Sequence, residues 1–269
     1  MGRVWPRLWH RGRPLNFIVR PQPGRTVTIV FTFASPAFIV MANDSAVTKT
    51  FSDSPPEYSA GRKHFASDGV GVVTMWGARD GNRLVATLTD ERILAETHTV
   101  ESLAHRVQRY LIETYEPHDG PRDDTGYHVG GYMPDGTPRL FHIFWNAHGS
   151  GNAASNWGAY TFEIHTPPAN VAGFLYNGRH DIVNAVIQPF IAELNRSGSS
   201  AFPMTPIGMC RLAHFVLRVG AELTPEVAPP FWIHVLSPKR RCISERADSL
   251  SPLGNDYFSS QVTSAGLSI

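Results

Sequence analysis

The chain has 269 residues, is 42% hydrophobic and carries a formal net charge of +1, enough apolar content to bury a core as one large domain or two small ones. Near-balanced charge argues against nucleic acid or an anionic membrane as the partner. Two cysteines, Cys210 and Cys242, exclude a secreted disulfide scaffold and lack metal-site spacing. No apolar run approaches the roughly 20 residues that span a bilayer. These features together describe a soluble protein of a reducing, cytoplasmic compartment.

Residues 1–27 open the chain with six arginines, four prolines and no acid before Thr26. "FIV" is too short for a signal-peptide core, and the prolines break any transit-peptide helix. The segment reads as a non-globular extension. The pattern then turns dense. "TIVFTF" (28–33) and "AFIVMA" (37–42) are β-branched and aromatic runs joined by Ala34-Ser35-Pro36, a hairpin signal. "VGVVTMW" (70–76) is a third strand. Helices are expected over about 82–94 and 101–115, the second aligning Leu103, Val107, Leu111 and Tyr115. "GYHVGGYM" (126–133), the turn Pro134-Asp135-Gly136 and "PRLFHIFW" (138–145) read as a long hairpin. Strands follow at 157–164 and 173–176. Helices then follow near 180–194 and 206–222, the latter with Thr205 as cap and Pro206 at its first position. "FWIHVL" (231–236) closes a domain spanning 28–238. The polar, serine-rich stretch 239–269 reads as a disordered tail. Strands, two helices, strands, two helices and a strand fit two packed sheets with helix pairs outside.

This order and several strings resemble the proteasome-type β-subunits, a branch of the N-terminal-nucleophile hydrolases. "TIVFTFASPAFIVMANDS" is similar to their opening hairpin, in which a threonine begins the first strand. An aspartate follows it by sixteen positions, the spacing from Thr28 to Asp44. "GRKHF" places Lys63 where the family has its catalytic lysine, after a loop a few residues longer. "VTMWGARDGNRL" and "HVGGYMPDGTPRLFHIFWNA" are similar to the strand–glycine–helix and the mid-chain hairpin that follow. The resemblance covers roughly 28–238 and lies nearer the divergent bacterial proteasome homologues than the ATP-dependent peptidase or actinobacterial branches.

The resemblance implies an α+β, four-layer αββα sandwich working as a homo-oligomer of stacked rings, with peptide or unfolded protein as substrate. It implies no cofactor, nucleic acid or membrane. Thr28 would be the nucleophile, and Asp44 and Lys63 would tune it. Gly77 would give an oxyanion N–H, while Ser45, Gly178 and Glu222 are supporting candidates. A threonine hydroxyl needs a base, here the residue's own α-amine, whose unperturbed pKa of about 7.7–8.0 suits neutral operation. That base requires Thr28 to be the first residue. Val27 is what an internal GTG start codon gives when a gene start is placed too far upstream. Translation from it would yield Met-Thr and, after methionine removal, a free threonine. Residues 1–26 would then be translated upstream DNA; the alternative is a propeptide-like arm.

The departures from the family pattern are specific. Ala46 stands where an arginine is usual. "YNGRHD" offers Gly178 or Arg179 in place of a supporting serine. "AELTPEVAPPFWIHVL" leaves Glu222 or Glu226 in place of an aspartate. They favour a catalytically silent ring or scaffold component of the same fold; a further alternative is an amidase acting on a small molecule, as other N-terminal-nucleophile enzymes are. The twelve histidines, among them His142, His165 and His180, show no metal-ligand spacing. Cys210 reads as a small core residue. "HGSGNAASNWG" (148–158) reads as a surface loop, because no phosphate-binding lysine follows it.

Overall fold

The computed structural model describes residues 7–10, 13–16, 28–49, 54–55, 57–77, 81–90, 95–115, 125–145, 161–165, 173–197, 205–247, 262–264 and 267. Two five-stranded antiparallel sheets carry the fold. The first has the order β12-β3-β4-β13-β14, built from Gly173–Gly178, Ile29–Ala34, Ile39–Asn43, Phe231–Leu236 and Cys242–Ala247. The second has the order β11-β10-β9-β8-β7, built from Thr161–His165, Pro138–Trp145, Thr125–Tyr132, Gly71–Gly77 and His64–Ser67. Among the described residues, four helices of eight residues or more accompany them: α1 (Gly81–Leu88), α2 (Val100–Tyr115), α3 (His180–Ser197) and α4 (Pro206–Leu223). Among the described residues, no helix is long and apolar enough to cross a membrane.

Strand alternation assigns each sheet two different faces. In β3, Ile29, Phe31 and Phe33 enter a core with Val183 and Ile187 of α3 and Ala213, Val216 and Leu217 of α4. In β8 and β9, Val73, Met75, Tyr127 and Val129 pack on Leu84 of α1 and Leu103, Val107 and Leu111 of α2. The intervening residues face the opposite sheet. Ala34, Ile39, Met41 and Leu175 of the first sheet meet Val72, Tyr132 and Leu140 of the second. Gly130 permits that approach, since a Cβ there would stand 2.6 Å from the Met41 sulfur.

Local chemistry explains the element ends. Thr205 Oγ1 accepts the Gly208 N–H at 3.1 Å and Pro206 opens α4, as the sequence predicts. Thr99 and Ser102 exchange backbone-to-hydroxyl bonds of 3.0 and 3.1 Å at the start of α2. The β9–β10 turn closes with Gly136 at φ +81° and its N–H on the Met133 carbonyl.

Four expectations need correcting or bounding. The polar stretch 239–269 is not wholly structureless. Cys242–Ala247 forms β14, paired with β13, and Val262 and Leu267 are buried in the first sheet's helix-side core. Within 1–27, Arg7–His10 (β1) and Arg13–Asn16 (β2) pair as a hairpin, although the extension reads as non-globular. A second hairpin, β5 (Ala46–Lys49) with β6 (Glu57–Ala60), occupies the stretch before Lys63 that the sequence reads only as loop. Of the strand expected over 157–164, residues 157–160 lie outside the described residues, as do 91–94 of the first helix and the whole of 148–158.

Candidate functional site

Three elements converge on Thr28. It precedes β3, Asp44 follows β4, and Lys63 precedes β7 of the second sheet. Lys63 is anchored there because the Met75 N–H of β8 donates to its carbonyl at 2.9 Å. All three side chains are buried, with relative exposures of 2% for Thr28, 0% for Asp44 and 5% for Lys63. The Lys63 Nζ donates to Thr28 Oγ1 at 2.7 Å and to Asp44 Oδ2 at 3.3 Å. Residues 35 positions apart in the chain thus share one hydrogen-bonded cluster.

Asp44 is fixed before it meets the lysine. Its Oδ1 accepts the Ile29 N–H at 3.0 Å, and its Oδ2 accepts the Ala46 N–H at 2.8 Å. Burial pushes the Asp44 carboxyl above the usual carboxylate range, opposed by the Lys63 charge and these two N–H donors. Burial pushes the Lys63 ammonium below the usual lysine range, opposed by Asp44. A buried pair so arranged lowers the cost of moving a proton near the hydroxyl, because neither charged form enjoys full hydration.

The Thr28 main chain is gripped from β12. Its carbonyl accepts the Arg179 N–H at 3.1 Å. Gly178, at φ +103°, passes so close that a Cβ would sit 1.4 Å from that oxygen, so only glycine fits. The Arg179 guanidinium reaches both oxygens of Asp181, at 3.0 and 2.7 Å, and Glu226 at 3.6 Å.

Of the expected residues, Thr28, Asp44, Lys63 and Gly178 meet. Ser45 does not point into this cluster. Its hydroxyl donates to the Pro230 carbonyl at 2.6 Å, tying the start of the β5–β6 hairpin to the loop before β13. Glu222 is not brought in either: it is exposed on α4 and pairs with Arg218 at 3.7 Å. Glu226 is the acid that reaches the neighbourhood, through Arg179. Gly77 ends β8 at φ +90°, paired with Thr125. His142 is buried between the sheets, edge-on to His128 and against Trp76 and Phe144. The side chains of His165 and His180 lie outside the described residues. Cys210 is a free, buried thiol in the α4 core. Among the described residues, no group of three His, Cys, Asp or Glu is placed to hold a metal ion.

Sequence reasoning missed a second polar cluster: Thr32, His128 and Asn177, all buried. No periodicity announces it, because its members come from three strands. The only trace is the polar character of three positions inside otherwise apolar runs.

No family model matches the sequence, and no curated protein matches it. Solved structures do. The Anbu (Gly-1) mutant from Hyphomicrobium sp. strain MC1 is similar with TM-score 0.55 at 16% identity, over 89% of this chain and 93% of that one. Anbu (ancestral beta-subunit) from Yersinia bercovieri is similar with TM-score 0.53 at 15% identity, over 89% and 93%. The Anbu complex from Pseudomonas aeruginosa, solved as a helical assembly, gives TM-score 0.54 at 17% identity, over 89% and 93%. These likenesses establish that the chain has the fold of Anbu, an ancestral beta-subunit.

Proposed function

We propose that the chain is a threonine-type N-terminal-nucleophile peptidase, active when Thr28 is the first residue. The observation that carries this reading is the buried Lys63 Nζ, 2.7 Å from Thr28 Oγ1 and 3.3 Å from Asp44 Oδ2. As Oγ1 attacks a peptide carbonyl, its proton passes to the Thr28 α-amine, while Lys63, held by Asp44, stabilises the developing alkoxide. The carbonyl oxygen gathers negative charge and is met by the Gly77 N–H. The C–N bond then breaks, the amine's proton leaves with the departing amine, and an ester remains on Thr28. Water hydrolyses that ester: its proton passes to the same amine, which returns a proton to Thr28 Oγ1 as the acid leaves, restoring the free hydroxyl and amine.

The remaining parts of this reading follow the fold. Sheets that face each other through Met41 and Tyr132, each with helices on its outer side, support a four-layer αββα sandwich. Residues 28–238 form the hydrolase domain, with β14 added to its edge. The Pseudomonas aeruginosa Anbu complex forms a helical assembly, and this chain would likewise self-associate, enclosing cytoplasmic peptide substrates. No cofactor enters the chemistry.

A second reading has its own support. Arg179 and Glu226 stand where the resemblance expects a serine and an aspartate, and Arg179 is already tied to two carboxylates. This favours a catalytically silent assembly subunit. The test is the intact mass of the untagged protein expressed from its own gene, before and after exposure to a peptide β-lactone. A mass for residues 28–269 that gains one acyl group, mapped to Thr28, supports the peptidase. A mass for 1–269 that never gains it supports the silent subunit.

A further inference from the structure

The grip on Thr28 depends on the end of β12, and among the described strands β12 stands at the edge of its sheet, paired with β3. Edge strands open from their ends unless side chains tie them down. Two β12 residues reach across to the second sheet. Leu175 does so through apolar packing, and Asn177 through a hydrogen bond. Asn177 immediately precedes Gly178 and Arg179, the residues that hold the Thr28 carbonyl.

The Asn177 Oδ1 lies 2.7 Å from His128 Nε2, and His128 Nδ1 lies 2.9 Å from Thr32 Oγ1. His128 is on β9 and fully buried; Thr32 and Asn177 belong to the opposite sheet, on neighbouring strands. With the Asn177 oxygen accepting, His128 Nε2–H donates, and Nδ1 accepts the Thr32 hydroxyl proton. One neutral imidazole thus uses both nitrogens to pin two adjacent strands of the first sheet to the second. His142 stands edge-on to this ring at 5.2 Å between centroids, fixing its plane.

We infer that His128 is a positioning residue for Thr28, acting through Asn177 and the Gly178–Arg179 backbone. It has no part in bond making. It keeps the end of β12 closed, so that the Arg179 N–H stays on the Thr28 carbonyl and the hydroxyl stays aligned with Lys63. The catalytic consequence rests on the nucleophile reading above; the mechanical link from His128 to Thr28 does not.

The experiment measures amide hydrogen exchange at Arg179 and the rate at which Thr28, freed of residues 1–27, is acylated by a peptide β-lactone. In His128→Phe, which keeps the ring volume but neither hydrogen bond, the Arg179 amide exchanges at least about tenfold faster. Acylation slows by a similar factor, while reversible binding of the probe is unchanged. His128→Gln, whose amide can both donate and accept, restores most of both. Wild-type exchange at Arg179 in His128→Phe overturns the inference, and so does a His128→Gln variant as defective as the phenylalanine. Should His128→Phe fail to fold, Asn177→Ala is read by the same two measurements, with faster Arg179 exchange expected and an unchanged rate overturning. If wild-type Thr28 is never acylated but the exchange rates separate as stated, the link stands and the peptidase reading falls.

Discussion

The interface between the two sheets has two ends of opposite character. At one end Ala34, Ile39, Met41, Val72, Tyr132, Leu140, Leu175 and Leu236 form an apolar contact. Towards the other end these strands and β7 present Asn43, Thr32, His64, His128, His142, Asn177 and His234, all buried, around a small apolar cluster of Val30, Trp76 and Phe144, and beyond them lie Thr28, Asp44 and Lys63. The apolar end gains free energy by leaving water, at about 25 cal/mol per Å². The polar end loses hydration and recovers it only through specific partners. One end therefore holds the sheets together, and the other uses that closeness to assemble a site. Stability and reactivity should respond separately to changes at the two ends.

The largest effect is expected at Thr28. On the proposed peptidase reading, Thr28→Ala removes the attacking oxygen but leaves the Lys63–Asp44 pair, so peptide hydrolysis should fall by about a thousandfold or more with little loss of stability. Comparing turnover with the denaturation midpoint tests the separation; parallel losses would break it. Next comes Lys63→Met, which strands the Asp44 carboxylate in a buried site. It should cost about 3–5 kcal/mol in chemical denaturation, and the added change Asp44→Asn should recover part of that cost. At the apolar end, Met41→Ala should cost about 2–5 kcal/mol yet leave the acylation rate of Thr28 near wild type. A matching loss of acylation would mean that the two ends are coupled.

Acid should act most strongly on the polar end. Burial holds His64 at about 2 and His234 at about 3, with the charges of His234 and Arg62 adding to the effect at His64 and that of Arg62 at His234. Both values lie below the unfolded histidine value, so the unfolded chain binds the extra protons. The stability involved is fully present above about pH 6.5 and is lost as pH falls towards these values, at up to about 1.4 kcal/mol per pH unit for each histidine. His234→Leu should flatten the decline between pH 6.5 and 4 in a denaturation series; an unchanged slope would assign the acid loss to other groups. The smallest effect is Glu222→Gln. This exposed i, i+4 partner of Arg218 should change stability by less than about 0.5 kcal/mol and leave acylation untouched.

Most of the sheet architecture was legible because β3, β4, β8, β9, β10 and β13 are long, buried and apolar. The ends of α4 and the β9–β10 turn were legible because their chemistry is local: Thr205, Pro206 and Gly136 act on neighbours within three residues. β6 was not legible, since all of Glu57–Ala60 is exposed and carries no hydrophobic pattern. β14 escaped for a related reason, its residues being half-buried or exposed along an edge. At the candidate site, spacing and resemblance named Thr28, Asp44 and Lys63, which the structure brings into one hydrogen-bonded cluster, while the choice between Glu222 and Glu226 needed coordinates. Four residues separate them, about one helical turn, and α4 ends between them at Leu223. The His128 tie lay beyond reach because its partners are 96 and 49 positions away.

The β5–β6 hairpin leaves the site directly after Asp44 and returns directly before Lys63. Its base is closed by the Gly61 N–H on the Ser45 carbonyl at 2.8 Å and by Ser45 on the Ala228 and Pro230 carbonyls. The distance between carboxylate and ammonium is therefore set at the base and is indifferent to what the arm carries at its tip. For a protein engineer this is a grafting point, where an affinity tag, a fluorophore or a recognition peptide could be inserted without retuning the chemistry at the base.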